Sequence, residues 1–290
     1  MAALDAFAAH LAETNAPGTT RFIYMMNLYV IEHFLGADWL DRHASLDAHP
    51  NSFLKPKFDE RDMAPLYSVR ILQLAEMLLN LQGVQGLYAV LENLEGDQLQ
   101  SGYAELQVGM VLMQRGVPFR YVDPKLEQGK TFDLELLLPS GEEGRGEIKC
   151  KYADTPYSDG TLRDALERAR GQISAGNSGV VFVKIPEDWV QVSQGHPRER
   201  ATMALPPEIV AAARDGLRQT SRIKKLIFYI TQMGFDPDWG ISTTHCTMEM
   251  NNAQNPTNSP WNAELLGSAI QTWVDIPHLI KRWVERHDER

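Results

Sequence analysis

Two uninterrupted apolar runs, GVVFVKIP at 179–186 and KKLIFYIT at 224–231, constrain this chain more than any other feature. Continuous apolar character marks strands buried on both faces, which helices must cover. Helical segments stand where that requires. TLRDALERARGQISA follows Asp159-Gly160 and precedes the first run, and PPEIVAAARDGLRQTSR, opening with prolines at a tolerated position, lies between the two runs. Upstream, SGYAELQVGMVLMQRG reads as a helix that ends at Gly116 with Arg115 in its last turn. Three short strands follow it. VPFRYVD comes first, TFDLELLL second, and GEIKCKY third, with the turn chemistry of PSGEEGR making a hairpin of the last two. The order over 101–231 is helix, three strands, helix, strand, helix, strand. That is an α/β fold with a mixed central sheet flanked by helices.

Residues 1–98 have a different texture and read as a mainly helical N-terminal region. MAALDAFAAHLAETNAPG has the spacing of an amphipathic helix ending before Pro17. RFIYMMNLYVIEHFLGADWLDRH is helical with an interruption at Gly36, and its aromatic residues Phe22, Tyr24, Tyr29, Phe34 and Trp39 read as helix core. LYSVRILQLAEMLLNLQGVQGLYAVLENL keeps helical spacing as well, and the proline-bearing 47–65 between them reads as a loop. Residues 99–235 then form the α/β core, and 236–290 supply a strand and helices that complete it. The N-terminus lacks a basic n-region and carries Asp5 and Glu13 within its apolar stretch, so it is not expected to act as a secretory signal. No run reaches the ~18 apolar residues of a membrane span. Two cysteines are too few for a disulfide framework or a thiolate zinc site. The expectation is a cytoplasmic protein with no membrane partner.

Charge is distributed unevenly. The net −10 resolves into −7 over 1–100, +1 over 101–235 and −4 over 236–290. Acidity therefore belongs to the flanks, whereas the core carries basic clusters at Arg163, Arg168, Arg170 and at Arg214, Arg218, Arg222, Lys224, Lys225. A core of this kind permits a nucleic-acid partner.

Within the core, four charged residues break the apolar pattern: Glu105 on the helix, Asp133 on the second strand, and Glu147 and Lys149 on the third. Asp is disfavoured in strands. Glu147 and Lys149, two apart, share one face of their strand, with Ile148 and Cys150 on the other. A hairpin lays Asp133 alongside this strand, so the two carboxylates converge if they share a face. Carboxylates a few ångströms apart repel unless a cation lies between them, and Mg²⁺ takes oxygen ligands of this type while keeping several waters. A lysine beside the metal can orient or deprotonate a water. Metal plus activated water is the equipment of phosphodiester hydrolysis.

This pattern resembles the PD-(D/E)xK nuclease superfamily, the restriction-endonuclease-like fold. The resemblance runs from 101 to 186: Glu105 on a first helix, Asp133, then Glu147-Ile148-Lys149 fourteen residues on, then a helix with Gln172 near its end. Phe132, rather than proline, precedes Asp133. The resemblance implies a restriction-endonuclease-like core in which Asp133, Glu147 and the backbone carbonyl of Ile148 ligate Mg²⁺, with Mn²⁺ as a substitute. It implies that Lys149 positions the attacking water, Glu105 supports a metal-bound water or second metal, and Gln172 orients the site. The expected enzyme is a Mg²⁺-dependent nuclease acting on nucleic acid, DNA before RNA, and many nucleases of this fold act as homodimers. The competing expectation is a catalytically silent module of the same fold, binding a protein partner through its acidic helical region.

Each residue also has a plainer reading. Glu105 could be solvated on an amphipathic helix, Gln172 an ordinary helical glutamine, and Asp133 and Glu135 could pair with Lys149 and Lys151 across the hairpin. Other motifs are weaker. GQISAGNSG at 171–179 has Asn177 where a phosphate-binding loop needs lysine, and lies between a helix and a strand in the wrong order. The eight histidines include no H-E-x-x-H pair. His245 and Cys246, adjacent on a strand, face opposite ways. NNAQNPTNSPWN at 251–262 reads as a polar surface loop.

Overall fold

The computed structural model describes residues 19–282 apart from 46, 49–51, 56–63, 97, 124, 126–131, 152–154, 174–177, 187–188, 194–201, 235–241, 267–272 and 281. The helix expected before Pro17 lies outside the described residues, as does most of the expected 47–65 loop. Among those described, no helix is long and apolar enough to cross a membrane. The chain divides into two compact units, one of residues 1–82, 237–241 and 273–290, the other of 83–236 and 242–272.

The first unit carries α1 (Thr19–Leu35), α2 (Ala37–His43) and α3 (Ala64–Leu81). Gly36, at φ 85°, ends α1 and starts α2 as its sequence suggests, because only glycine takes that backbone without strain. Trp39, Ile31, Leu74, Ala75, Leu78 and Leu81 are buried. On α3, Asn80 exchanges two hydrogen bonds with the backbone of Val274, and Glu76, one turn earlier, accepts from the Ile276 N–H and the Trp273 indole.

The second unit holds α4 (Leu87–Glu95), α5 (Leu99–Gln114), β1 (Phe119–Tyr121), β2 (Leu134–Leu137), β3 (Glu143–Cys150), α6 (Asp159–Gln172), β4 (Gly179–Lys184), β5 (Gln191–Ser193), β6 (Thr202–Ala204), α7 (Pro207–Arg218), β7 (Ile223–Gly234) and β8 (Ser242–Asn251). The boundary between units falls after Gln82, whereas the sequence suggested one after residue 98. The physical reason is α4. It starts at Gly86, φ 83°, where the Tyr121 carbonyl leaves no space for a Cβ, and it packs against α5 and β1. Residues 236–290 are shared out likewise: β8 completes the sheet, and 273–290 go with the first unit.

Six strands form one mixed, open sheet in the order β1-β2-β3-β4-β7-β8. β3, β4 and β7 run parallel and the other neighbours antiparallel. The α/β reading and the mixed sheet hold. Parallel neighbours need crossover connections, and α6 and α7 provide them. Leu162, Leu166 and Ala169 of α6 and Ile209, Ala213 and Leu217 of α7 pack on Val181, Val183, Leu226, Phe228 and Ile230, the alternate residues of β4 and β7. The opposite face meets α5, where the Tyr229 hydroxyl donates to the Ala104 carbonyl and the Gln107 amide to Thr231 Oγ1. β5 and β6 pair antiparallel as a separate two-stranded sheet that no apolar run marks.

Polar groups bind the far edge. Buried Asn252 donates to the carbonyls of Leu217, Thr220 and Ile223 and half-buried Asn255 to Lys224, while Asn262 bonds Pro256 within a loop whose remaining residues are mostly exposed. Lys225, 1 % exposed, pairs with Glu249, which also accepts from the N–H groups of Leu265 and Leu266. Removing one partner of such a buried pair strands the other charge, at a cost of about 3–5 kcal/mol. Glu249→Ala should therefore destabilise the protein by about 3 kcal/mol in urea unfolding. Lys225→Met with Glu249→Leu should recover most of that loss.

Candidate metal and catalytic site

The site begins with strand register. β2 pairs with β3 as Leu134↔Gly146, Glu135↔Arg145, Leu136↔Gly144 and Leu137↔Glu143, around a turn in which Gly141 takes φ 84°. Continued by one residue, this register sets Asp133 opposite Glu147. The Asp133 N–H still bonds the Gly146 carbonyl, 3.0 Å, and its own carbonyl accepts from Val122, 2.9 Å. Beyond that point the ladder gives way to a side chain: Asp133 Oδ2 accepts the Ile148 N–H at 2.7 Å. A strand residue directs its N–H and C=O to the same side, so the Ile148 carbonyl leaves β3 toward the edge that Asp133 occupies.

Across β3, Glu147 and Lys149 stand in register with Val181 and Val183, which places them on the α6–α7 face of the sheet. Glu147 is 1 % exposed. Its Oε1 accepts from Lys149 Nζ, and no donor reaches its Oε2. Lys149 Nζ also donates to Gln172 Oε1 at 2.6 Å. The phase of α6 makes that contact. The Ser158 side chain caps the Thr161 N–H and starts the helix, and Leu162, Ala165 and Ala169 turn toward the sheet. Gln172, three residues past Ala169, falls on the same face.

Glu105 arrives from α5. Its Oε1 accepts the Asn93 amide of α4 at 3.1 Å, and its backbone carbonyl accepts the Tyr121 hydroxyl. That hydroxyl lies 1.9 Å from where a Cβ on Gly109 would stand, so only glycine lets the helix approach β1 this closely. Glu105 is thus half-buried and hydrogen-bonded, in place of the solvated reading. Glu135 pairs with Arg120 and Arg145 instead of a lysine, and Lys149 pairs along its own strand, so the expected cross-hairpin pairs are not formed. Asn93 and Tyr121 were not legible as site residues, since their contacts join elements that no local pattern connects.

Electrostatically, three carboxyls face one lysine. Burial pushes Glu147 up to about 9, and the neighbouring Asp133 adds to the rise against the pull of Lys149. Glu105 is raised by burial and then by Asp133. Asp133 is raised by burial, with the Ile148 N–H and Lys149 opposing. A cluster that holds protons at neutral pH is one that a cation would relieve. Among the described residues no group of three or more His, Cys, Asp or Glu side chains is placed to hold a metal ion. The oxygens that fit a hard cation here are the carboxylates of Asp133 and Glu147 and the Ile148 carbonyl, with water completing the shell, a donor set that suits Mg²⁺. The donorless Oε2 of Glu147 fits the same reading.

The other motifs resolve into structure. Residues 174–177 of the 171–179 stretch lie outside the described residues, and the parts around them are the end of α6 and the start of β4. His245 Nδ1 meets Thr231 Oγ1, and burial followed by Lys184 lowers the imidazole to about 4, so it stays neutral. Cys246 points the other way, into the α6–α7 core.

The raised carboxyl of Glu147 has a consequence for stability. Between its unfolded value near 4.5 and about 9 the native state keeps a proton that the unfolded state has lost, so its contribution to stability falls as pH rises through that window. In metal-free buffer, Glu147→Gln should raise Tm relative to wild type at pH 9 by more than it does at pH 5. Equal shifts at both pH values would show that the carboxyl does not hold its proton.

Compared with protein-family models, curated proteins and solved structures, the chain matches none.

Proposed function

We propose that the chain is a divalent-metal-dependent nuclease with a restriction-endonuclease-like core, hydrolysing phosphodiester bonds, in DNA before RNA. One observation carries this reading: Asp133 and Glu147 stand opposed at the point where β2 and β3 part, with Lys149 and Gln172 joined to them. Bound Mg²⁺ would supply Lewis acidity toward the phosphoryl oxygen and lower the pKa of a bound water. Asp133 and Glu147 would hold the cation, together with the Ile148 carbonyl. The Ile148 N–H fixes the Asp133 carboxylate, so one ligand is oriented before any cation arrives.

Lys149 has three N–H donors. Glu147 takes one and Gln172 another, which leaves the third for the attacking water or a phosphate oxygen. Gln172 is a positioning residue: its carbonyl oxygen cannot change charge, so it holds Nζ in place at any working pH. Glu105, held by the Asn93 amide and raised in proton affinity by burial and then by Asp133, would support a metal-bound water or a second metal.

The net −7 of residues 1–100 favours a second reading, a catalytically silent module that engages a protein partner through its acidic helical region. Calorimetric titration with Mg²⁺ and Mn²⁺ separates the two. The nuclease reading expects binding by wild type, a loss of at least tenfold in Asp133→Ala and Glu147→Ala, and retained metal binding in Lys149→Ala. On DNA, Lys149→Ala should cleave ~100-fold or more slowly. A wild-type protein that takes up no divalent ion, with or without DNA, would sink the nuclease reading and leave the silent module.

A further inference from the structure

The positive charge of this core is not spread over α6 but sorted by it. Arg163 and Arg170 line a small groove against α7, and Arg170 pairs with Glu167. Arg168 turns the other way. It belongs to the row Asp164, Arg168, Gln172, whose members are four residues apart and so share one side of the helix. Gln172 meets Lys149. One turn earlier in α6 and two residues later in the strand, Arg168 comes near Lys151.

The direction of Lys151 follows from backbone parity. Arg145 and Lys151 both donate their N–H toward β4, to Ser178 and Lys184 respectively. Glu147 and Lys149 lie between them at the same alternation, so 147, 149 and 151 share the α6 face. Burial lowers the Lys151 ammonium below its ordinary value, and Arg168 repels it further; Asp164 opposes this, and Lys149 adds a smaller push. Lys149 Nζ already donates to Glu147 and Gln172. Among the described residues Asp164 is the carboxylate that offsets Lys151, and neither Lys151 nor Arg168 reaches a carboxylate within salt-bridge distance. Among the described residues, two cations placed this way beside the proposed site make no salt bridge.

We propose that Lys151 and Arg168 form a phosphate-binding ledge that grips the nucleic-acid strand beside the scissile phosphate and aligns it with Lys149. The inference rests on the nuclease reading above and names which of that chain's many basic residues contact the substrate backbone. Lys151 and Arg168 are positioning residues: they hold the strand and leave the reacting atoms to Lys149 and the carboxylates.

The test is the salt dependence of binding to a fluorescein-labelled DNA duplex, followed by anisotropy over ~50 to ~300 mM NaCl in Ca²⁺ buffer. Each phosphate contact contributes about 0.9 to the slope of log K against log salt. Lys151→Met with Arg168→Gln should flatten that slope by about 1.8, and Lys151→Arg alone should keep it. In Mg²⁺ the double variant should raise KM about tenfold or more while kcat stays within about threefold, a split that simple loss of folded protein would not give. An unchanged slope and KM in a wild type that cleaves DNA would overturn the ledge and leave the nuclease standing. A wild type whose binding flattens in the double variant, but which cleaves nothing, would keep the ledge and sink the nuclease. Wild-type protein that neither binds nor cleaves DNA or RNA overturns both.

Discussion

Two carboxylates placed directly opposite one another on adjacent strands are the constraint around which the rest of the core is arranged. Like charges in that position repel, and burial makes the repulsion worse. A structural protein has little reason to keep such a pair, since one apolar residue would remove the conflict. Here the surroundings accommodate it. The Ile148 N–H, beyond the start of β2 and so released from the ladder, is given to Asp133, and Lys149 and Gln172 close over Glu147. The accommodation is incomplete, because one Glu147 oxygen has no donor and the carboxyls are pushed toward their protonated forms. Local conflict that the fold tolerates is typical of functional positions.

Much of the remaining architecture serves to bring separate elements to that point. β1 carries Tyr121, whose hydroxyl reaches the Glu105 carbonyl only because Gly109 offers no Cβ. α4 adds Asn93 to the same carboxylate and is itself locked to β1 at Gly86. The far edge of the sheet is tied by Asn252 and by the Lys225–Glu249 pair, well away from the carboxylates. Rigidity is therefore supplied on the side of the sheet remote from the site, and the strained polar groups gather where β2 and β3 separate.

Period-based patterns in the sequence carried the element types well. The runs at 179–186 and 224–231 are the central parallel strands, Gly36 breaks its helix, and the order of helices and strands through the core is the one observed except for the added pair β5 and β6 between β4 and α7. What local pattern could not supply was register and tertiary membership. Asp133 faces Glu147 because the turn between β2 and β3 has one particular length, and a slip of one residue would have put Asp133 on the other face. α4 looks like its helical predecessor in sequence, yet it packs on α5 and β1, a choice made by contacts distant in the chain. The 251–262 stretch is the largely exposed loop its composition suggests, but local pattern could not show that Asn252 and Asn255 turn their amides onto backbone carbonyls of α7 and β7.

The site itself arises where two periodicities happen to match. Two residues of a strand advance ~6.7 Å, and four residues of a helix advance ~6 Å. A helix antiparallel to a strand can therefore set one side chain per turn against every second strand residue for a short distance before the two drift apart. Gln172 against Lys149 is the first step of such a run, and the same spacing directs Arg168 toward Lys151, whose ammonium it repels. The difference of ~0.7 Å per step is small enough for flexible lysine and arginine side chains to absorb over two steps. The E-x-K spacing on β3 and the four-residue spacing on α6 are thus one geometric requirement seen from two elements. A glutamine at 171 or 173 instead of 172 would be rotated by ~100° away from Lys149, and the lysine would lose the neutral partner that holds it beside the carboxylates.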